Sequence, residues 1–248
     1  MQLQNKVALV TGGALGIGAG IVELFAREGA TVYILDLDKE KGEEKAASVR
    51  AEGGKAEAFC CDVSQRETLE HAIRTVGDRH GRIDILINNA GIYPRRLFLE
   101  MTEEEWDQMQ TVNLKSMFHT CQLTLPYMIP QRSGKIVNIS SVTFFLGSPK
   151  LTHYVASKGG VIGLTRTLAR EMGNHNIHVN SITPGAIQTE GELIHANPAD
   201  LAAILENQCL KRRLQPEDIA RVCLFLSSAL SDGMSGQNLN VDGGLVLY

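Results

Sequence analysis

The sequence predicts an α/β fold: seven parallel strands in one doubly wound sheet, with helices on both faces. Three observations carry this reading. Short apolar runs alternate with helix-like stretches along the whole chain. The runs are continuous rather than alternating hydrophobics, which marks strands buried on both faces. No linker, low-complexity stretch or charge block interrupts the alternation, so residues 1–248 read as a single domain.

The runs are, in order, KVALVT, ATVYILDL, KAEAFCCDV, RIDILINNAG, GKIVNISS, IHVNSITPG and QNLNVDGG. Helical patterns lie between them, such as IGAGIVELFAREG, KGEEKAASVRAEGG and ETLEHAIRTVGDRHG. Each of these closes at a glycine, as a helix C-terminus prefers. In such a sheet the connections are right-handed, and ligands bind beyond the carboxyl ends of the strands.

Composition narrows the function. With 44% apolar and 21% charged residues, the chain has ample material for one large core. A formal net charge of −4 gives no reason to expect nucleic acid or a membrane surface as partner. The five cysteines form no Cys-x-x-Cys pair, and Cys60 and Cys61 are adjacent, a poor geometry for an ordinary disulfide. That usage fits a reducing compartment. The start, MQLQNKVALVTGG, lacks the basic segment and apolar core of a signal peptide. A cytoplasmic protein without a metal site is expected.

The first strand runs into VALVTGGALGIGAG, with glycines at 12, 13, 16, 18 and 20. A strand, a glycine turn and a helix let backbone approach a pyrophosphate, and the helix N-terminus favours its charge. The spacing fits Thr-Gly-x-x-x-Gly-x-Gly at Thr11, Gly12, Gly16 and Gly18, with Ile17 opening the helix. This is the entry to a Rossmann-type fold. The second strand ends on Asp36, 18 residues after Gly18. A carboxylate there can accept the adenosine ribose hydroxyls and would repel a 2′-phosphate. Leu37 and Asp38 follow, with no immediate cation to neutralise it. NAD is therefore favoured over NADP. Asp36 could instead cap the next helix, but Asp38 sits closer to it.

Further on, LTHYVASKGGVIG sets Tyr154 and Lys158 four apart. On a helix that spacing puts both on one face. An ammonium beside the phenol would lower its pKa from about 10 toward the range of a general base. Alone, such a pair is common by chance.

The motifs in order change that. TGGALGIG at Thr11–Gly18, NNAG at Asn88–Gly91, Asn113 in TVNLKS, Ser141 in NISS, YVASK at Tyr154–Lys158 and PGAIQT at Pro184–Thr189 resemble a classical short-chain dehydrogenase/reductase. The likeness runs to GQNLNVDGG near the end of the chain. The closing loop and the segment after NNAG are also similar to pyridoxal 4-dehydrogenase and 1-phenylethanol dehydrogenase type members. The resemblance implies a catalytic set of Asn113, Ser141, Tyr154 and Lys158. It implies Tyr154 as acid/base, Ser141 on the substrate oxygen, and Asn113 holding a helix kink and a water. Lys158 would also hold the nicotinamide ribose, and hydride would pass on the pro-S face. Ser140, the neighbour of Ser141, faces the other way on a strand.

The resemblance further implies cofactor contacts at Leu37, Asp62 and Val63, at Asn89 and Gly91, and at Pro184, Gly185, Ile187 and Thr189. Asp62 could alternatively cap a strand end. Gly159 and Gly160 follow Lys158, and mid-helix glycine costs about 1 kcal/mol against alanine. The resemblance gives them a reason, packing of that helix on its copy in a homotetramer.

Three variable segments are expected around the reacting carbon. IYPRRLFLE brings Tyr93, Arg95 and Arg96; SVTFFLGSP brings Thr143 and Phe145; His153 adjoins Tyr154. A lid is expected over about 189–212. Either arginine could read an anionic group on a compact cyclic or aromatic alcohol. Both could equally be solvated.

The leading expectation is an NAD-dependent oxidoreductase acting on a secondary alcohol, a small-molecule substrate. The alternative in the same class is a carbonyl reductase such as a 3-oxoacyl thioester reductase. A non-catalytic dinucleotide sensor is the alternative of another class, and it would need no proton acceptor.

Overall fold

The computed structural model describes residues 1–191 and 198–247. Its one sheet holds seven strands: β1 (Val7–Thr11), β2 (Thr31–Asp36), β3 (Lys55–Cys60), β4 (Ile85–Asn88), β5 (Gly134–Ile139), β6 (Ile177–Pro184) and β7 (Asn238–Val241). Their order is β3-β2-β1-β4-β5-β6-β7, and every pairing is parallel. The expected strands are thus all present. Continuous hydrophobicity is a property of the centre only: β1 and β4 are buried throughout, whereas the edge strands β3 and β7 are partly exposed.

The chain winds outward from β1 to β3, then returns to the far side of β1 for β4. That reversal opens a crevice at the carboxyl ends of β1 and β4, where a doubly wound sheet binds its ligand. The helices that cover the sheet are α1 (Gly16–Arg27), α2 (Lys39–Ala51), α3 (Arg66–His80), α4 (Glu103–Gln110), α5 (Ser116–Gln131), the single turn α6 (Thr143–Leu146), α7 (Thr152–Met172), α8 (Pro198–Asn207) and α9 (Pro216–Ser227). A π-helical turn, Thr111–Lys115, joins α4 to α5.

Alternate residues of each strand feed two cores. On one face Ala8, Val10, Ile34 and Val137 pack with Ile21, Phe25 and Ile219 of α1 and α9. On the other, Leu9, Leu35, Leu86 and Ile136 pack with Leu69 and Ile73 of α3 and with Cys121 and Met128 of α5. Full burial of a side chain such as Phe25 contributes roughly 1.5–3 kcal/mol.

A buried polar ladder locks the second face to the sheet. Asn88 of β4 donates to Asn138 of β5 (2.8 Å), and Thr120 of α5 donates to Asn88 (2.6 Å). Asn138 donates to Thr165 of α7 (3.0 Å), whose own hydroxyl donates to the Val161 carbonyl (2.8 Å). The ladder fixes the height of α7, which carries Tyr154 and Lys158. A satisfied buried network is specific because a half-satisfied one is costly.

Gly159 and Gly160 each have a packing reason within the chain. A Cβ on Gly159 would stand 2.9 Å from the Phe144 ring, and one on Gly160 would stand 2.6 Å from Leu114. Both glycines make room for side chains of their own chain. Among the described residues no helix is long and apolar enough to cross a membrane.

Asn138→Ala removes the centre of the ladder and leaves the Asn88 amide and the Thr165 hydroxyl short of a partner. Denaturant unfolding of this variant is expected to show a loss of about 2–4 kcal/mol at unchanged slope. A midpoint within error of the parent would contradict this role for the ladder.

Candidate active site

The crevice is built where strands end and the backbone loses its ladder partners. Thr11 lies beneath the glycine turn and is buried. Its hydroxyl accepts the Asn89 and Ala90 N–H groups at 3.0 and 3.1 Å. Asn89 in turn donates to the carbonyls of Thr11 (3.1 Å) and Gly12 (2.9 Å). Thr11 and Asn89 therefore clamp β1 to β4 and shape the turn, and the Thr11 hydroxyl faces this clamp.

The turn fits a pyrophosphate. Gly12 and Gly16 hold φ of 61° and 55°, the left-handed region that favours glycine. A Cβ on Gly18 would run into the Gly12 carbonyl oxygen. Helix α1 begins with no side-chain cap on its free N–H groups, so an anion can take that place. Thr189 stands over Gly16, 3.1 Å from where its Cβ would be. Ile187 is buried and bridges to Leu214, Pro184 ends β6, and the Gly185 N–H donates to the Val241 carbonyl (3.0 Å).

At the far end of the groove, Asp36 accepts the Ala14 N–H through Oδ2 (2.9 Å) and the Asp38 N–H through Oδ1 (3.1 Å). Asp38 is the cap of α2, accepting the Lys41 N–H at 3.0 Å. Leu37, next in sequence, is 69% exposed, and Leu15 of the glycine turn is 43% exposed. Asp62 accepts the Ser64 N–H (2.9 Å) and hydroxyl (2.7 Å) through Oδ1, closing the turn into α3, while Val63 is buried against the second core.

At the near end the four expected catalytic side chains converge. Asn113 is fully buried in the π-helical turn. Its Oδ1 accepts the Ile92 N–H (2.8 Å) and its Nδ2 donates to the Ile92 carbonyl (2.8 Å). A Cβ on Gly91 would come within 3.2 Å of Asn113 Oδ1 and 3.6 Å of Lys158 Nζ, so a side chain there would crowd Asn113. Lys158 Nζ donates to the Ile139 carbonyl (2.9 Å) at the end of β5. Ser140 turns into the core and donates to the Lys158 carbonyl (2.8 Å), leaving Ser141 at the crevice.

The electrostatics differ from the simple expectation. Lys158 Nζ lies 5.6 Å from the Tyr154 ring centroid. Burial pushes the Tyr154 phenol up to about 12; the Ser141 hydrogen bond pulls it down, and Tyr93 opposes that pull. Burial drives the Lys158 ammonium down to about 8. Within the chain the Ser141 hydrogen bond lowers the phenol pKa, and it does not offset the effect of burial.

The variable segments divide. Tyr93 stands edge-on to Tyr154, with ring centroids 6.3 Å apart, so it belongs to the site. Thr143 reaches Ser141, with Oγ1 to Oγ at 2.9 Å. Arg96 is not set to read a substrate anion: its Nε and Nη2 donate to Glu105 Oε1 at 2.9 and 2.6 Å. Arg95 is exposed. Phe145 lies with Phe144, Ile162 and Arg166 along a groove on the outer side of α7, which none of the four catalytic candidates lines. His153 is fully buried, and neither ring nitrogen has a partner among the described residues, so it forms no substrate wall. Burial holds it below its ordinary pKa. Residues 192–197 of the expected lid lie outside the described residues. Among the described residues no cluster of metal-ligating side chains is present.

Sequence reasoning missed the Ile139 and Ile92 backbone groups that hold Lys158 and Asn113. A carbonyl carries no residue signature, so only the strand-end position could have pointed to it.

Below pH 8 folding must bury a charged Lys158, and that penalty lifts as pH rises from about 8 toward the unfolded value of 10.5. Lys158→Met is expected to be more stable relative to the parent at pH 7 than at pH 10, by roughly 2–3 kcal/mol. The lost Ile139 bond shifts both pH values equally. Paired denaturation curves showing a pH-independent difference would contradict the lowered pKa.

Residues 12–246 match the family described as enoyl-(acyl carrier protein) reductase. A 3-oxoacyl-(acyl-carrier-protein) reductase of Thermotoga maritima is 43% identical over 248 residues, covering 100% of each chain. A Rhizobium meliloti protein named as a probable galactose dehydrogenase is 40% identical over 245 residues, 98% of this chain and 96% of its own. The crystal structure of an Agrobacterium tumefaciens protein, provisionally described as a gluconate dehydrogenase, superposes with a TM-score of 0.95 at 34% identity, over 99% of this chain and 98% of that one. With the glycine turn, the seven-stranded sheet and the convergent Asn113, Ser141, Tyr154 and Lys158, these likenesses lead to one conclusion: the chain belongs to the classical short-chain dehydrogenase/reductase family of nicotinamide-dinucleotide oxidoreductases.

Proposed function

We propose that the protein interconverts a secondary alcohol and the corresponding carbonyl compound, using NAD(H). The observation that carries the cofactor assignment is Asp36. Its carboxylate is fixed by the Ala14 and Asp38 amides at the end of the groove. A 2′-phosphate there would meet a negative charge, whereas two ribose hydroxyls would meet an acceptor.

The bound dinucleotide supplies the hydride acceptor or donor. The chain manages the proton. In oxidation, Tyr154 as phenolate takes the hydroxyl proton while the carbinol C–H bond breaks and C=O forms. Ser141 donates a hydrogen bond to the substrate oxygen as negative charge develops on it. In reduction the phenol returns its proton to the oxygen as hydride reaches carbon. Lys158, held by Ile139, and Asn113, held by Ile92, keep the floor of the site in place. Burial keeps Tyr154 protonated at neutral pH, the form that reduction needs, so oxidation is expected to gain as pH rises.

Of two substrate classes, the names of the similar chains support reduction of a 3-oxoacyl thioester more than oxidation of an alcohol. The name of the Thermotoga maritima relative favours reduction of a 3-oxoacyl thioester, the reading ranked second from the sequence. The Rhizobium meliloti and Agrobacterium tumefaciens names favour oxidation of a hydroxy compound, the reading ranked first. Tyr93 beside Tyr154 suits a compact substrate in either case. A cytoplasmic homotetramer is part of this proposal, by resemblance to the family.

Turnover is to be measured with 3-oxoacyl thioesters and NADH, and with sugar, cyclic and aromatic alcohols and NAD. Activity with one class is expected, and Tyr154→Phe should lower kcat by about 10²–10⁴-fold with dinucleotide binding retained. Undiminished turnover in Tyr154→Phe would sink the acid/base assignment. Tight dinucleotide binding with no turnover on either panel would favour a sensor.

A further inference from the structure

We propose that Thr143 is a positioning residue that makes Ser141 a directed hydrogen-bond donor toward the reacting oxygen. The proposal rests on Tyr154 as the acid/base and adds a residue outside the catalytic four.

Ser141 Oγ has one proton and two lone pairs. The Thr143 backbone N–H lies 3.2 Å from that oxygen, and an N–H can only donate, so one lone pair is occupied. The Thr143 hydroxyl lies 2.9 Å from the same oxygen. Ser141 also bonds Tyr154. Its proton therefore has two destinations, the Thr143 oxygen or the Tyr154 and substrate oxygens. Charge decides between them. When Tyr154 is a phenolate, or the substrate oxygen carries developing negative charge, Ser141 must donate to it. The second lone pair is then left to the Thr143 proton. The result is a head-to-tail chain from Thr143 through Ser141 to the anion. Each bond in such a chain polarises the next.

The surrounding backbone fixes this arrangement. The Val142 N–H donates to the Pro184 carbonyl (3.0 Å), which ties the segment to β6. The Gly147 N–H donates to the Thr143 carbonyl (2.9 Å), closing α6. Thr143 is thus held from both sides with its hydroxyl toward Ser141. An alternative role, direct contact with the substrate, would act on binding rather than on the phenol.

Thr143→Val keeps the shape and the backbone N–H but removes the hydroxyl; Thr143→Ser keeps the hydroxyl. Tyrosinate absorbance is to be titrated with NAD+ or NADP+ bound, whichever saturates, with Tyr154→Phe as the blank. The Tyr154 midpoint is expected to rise by about half a pH unit or more in Thr143→Val and to return in Thr143→Ser. With an active alcohol, kcat should fall about 5–20-fold below the midpoint, KM should stay within about twofold, and the loss should shrink as pH rises. An unmoved midpoint in Thr143→Val overturns the proposal. So does a raised KM with kcat intact, or a Thr143→Ser enzyme that behaves like the valine variant. The titration needs no substrate, so a failed substrate panel and a failed role for Thr143 are separate results.

Discussion

The carboxyl edge of the sheet is where the backbone runs out of ladder partners, and the groups that replace those partners build the site. Buried N–H and C=O groups must find a bond. At β1 and β4 the replacement is Asn89, whose backbone N–H donates to the Thr11 hydroxyl and whose side-chain amide donates to the Thr11 carbonyl. At β2 it is Asp36, whose two oxygens take amides from the turns after β1 and β2. At β5 it is Lys158, which caps the Ile139 carbonyl. The groove for the dinucleotide and the floor under the reacting carbon are consequences of the same requirement.

That requirement also sets the electrostatics. An ammonium drawn into the edge of the sheet loses its hydration, and a phenol one turn away is buried with it. Both groups move toward their neutral forms. Ser141 works against this drift at Tyr154, and the Thr143 hydroxyl reaches Ser141 at 2.9 Å. The positive nicotinamide of an oxidised cofactor would work in the same direction. The charge needed for base catalysis thus depends on ligand as well as on fold.

The sheet was legible in the sequence because parallel central strands are apolar on both faces, as in VALV and ILIN. The first three helices were legible because each is followed by a glycine in the left-handed region, Gly29, Gly53 and Gly81. The four catalytic candidates were legible only through their order and spacing as a family pattern. Side-chain direction was not. Arg96 looked free beside the site until α4 brought Glu105 to it. His153 adjoins Tyr154 in sequence, yet successive helix positions turn by 100°, and it faces the core. Phe145 follows Ser141 by four residues, but α6 carries it over to the outer groove of α7.

The central claim is that the edge of the sheet presents an uncompensated carboxylate, Asp36, to the adenosine ribose. Titrating the protein with NADH and with NADPH, followed by nicotinamide fluorescence, tests it most directly. The account predicts NADH binding at least about tenfold tighter, the equivalent of one charge repulsion of roughly 1.4 kcal/mol. Equal or tighter binding of NADPH would contradict it.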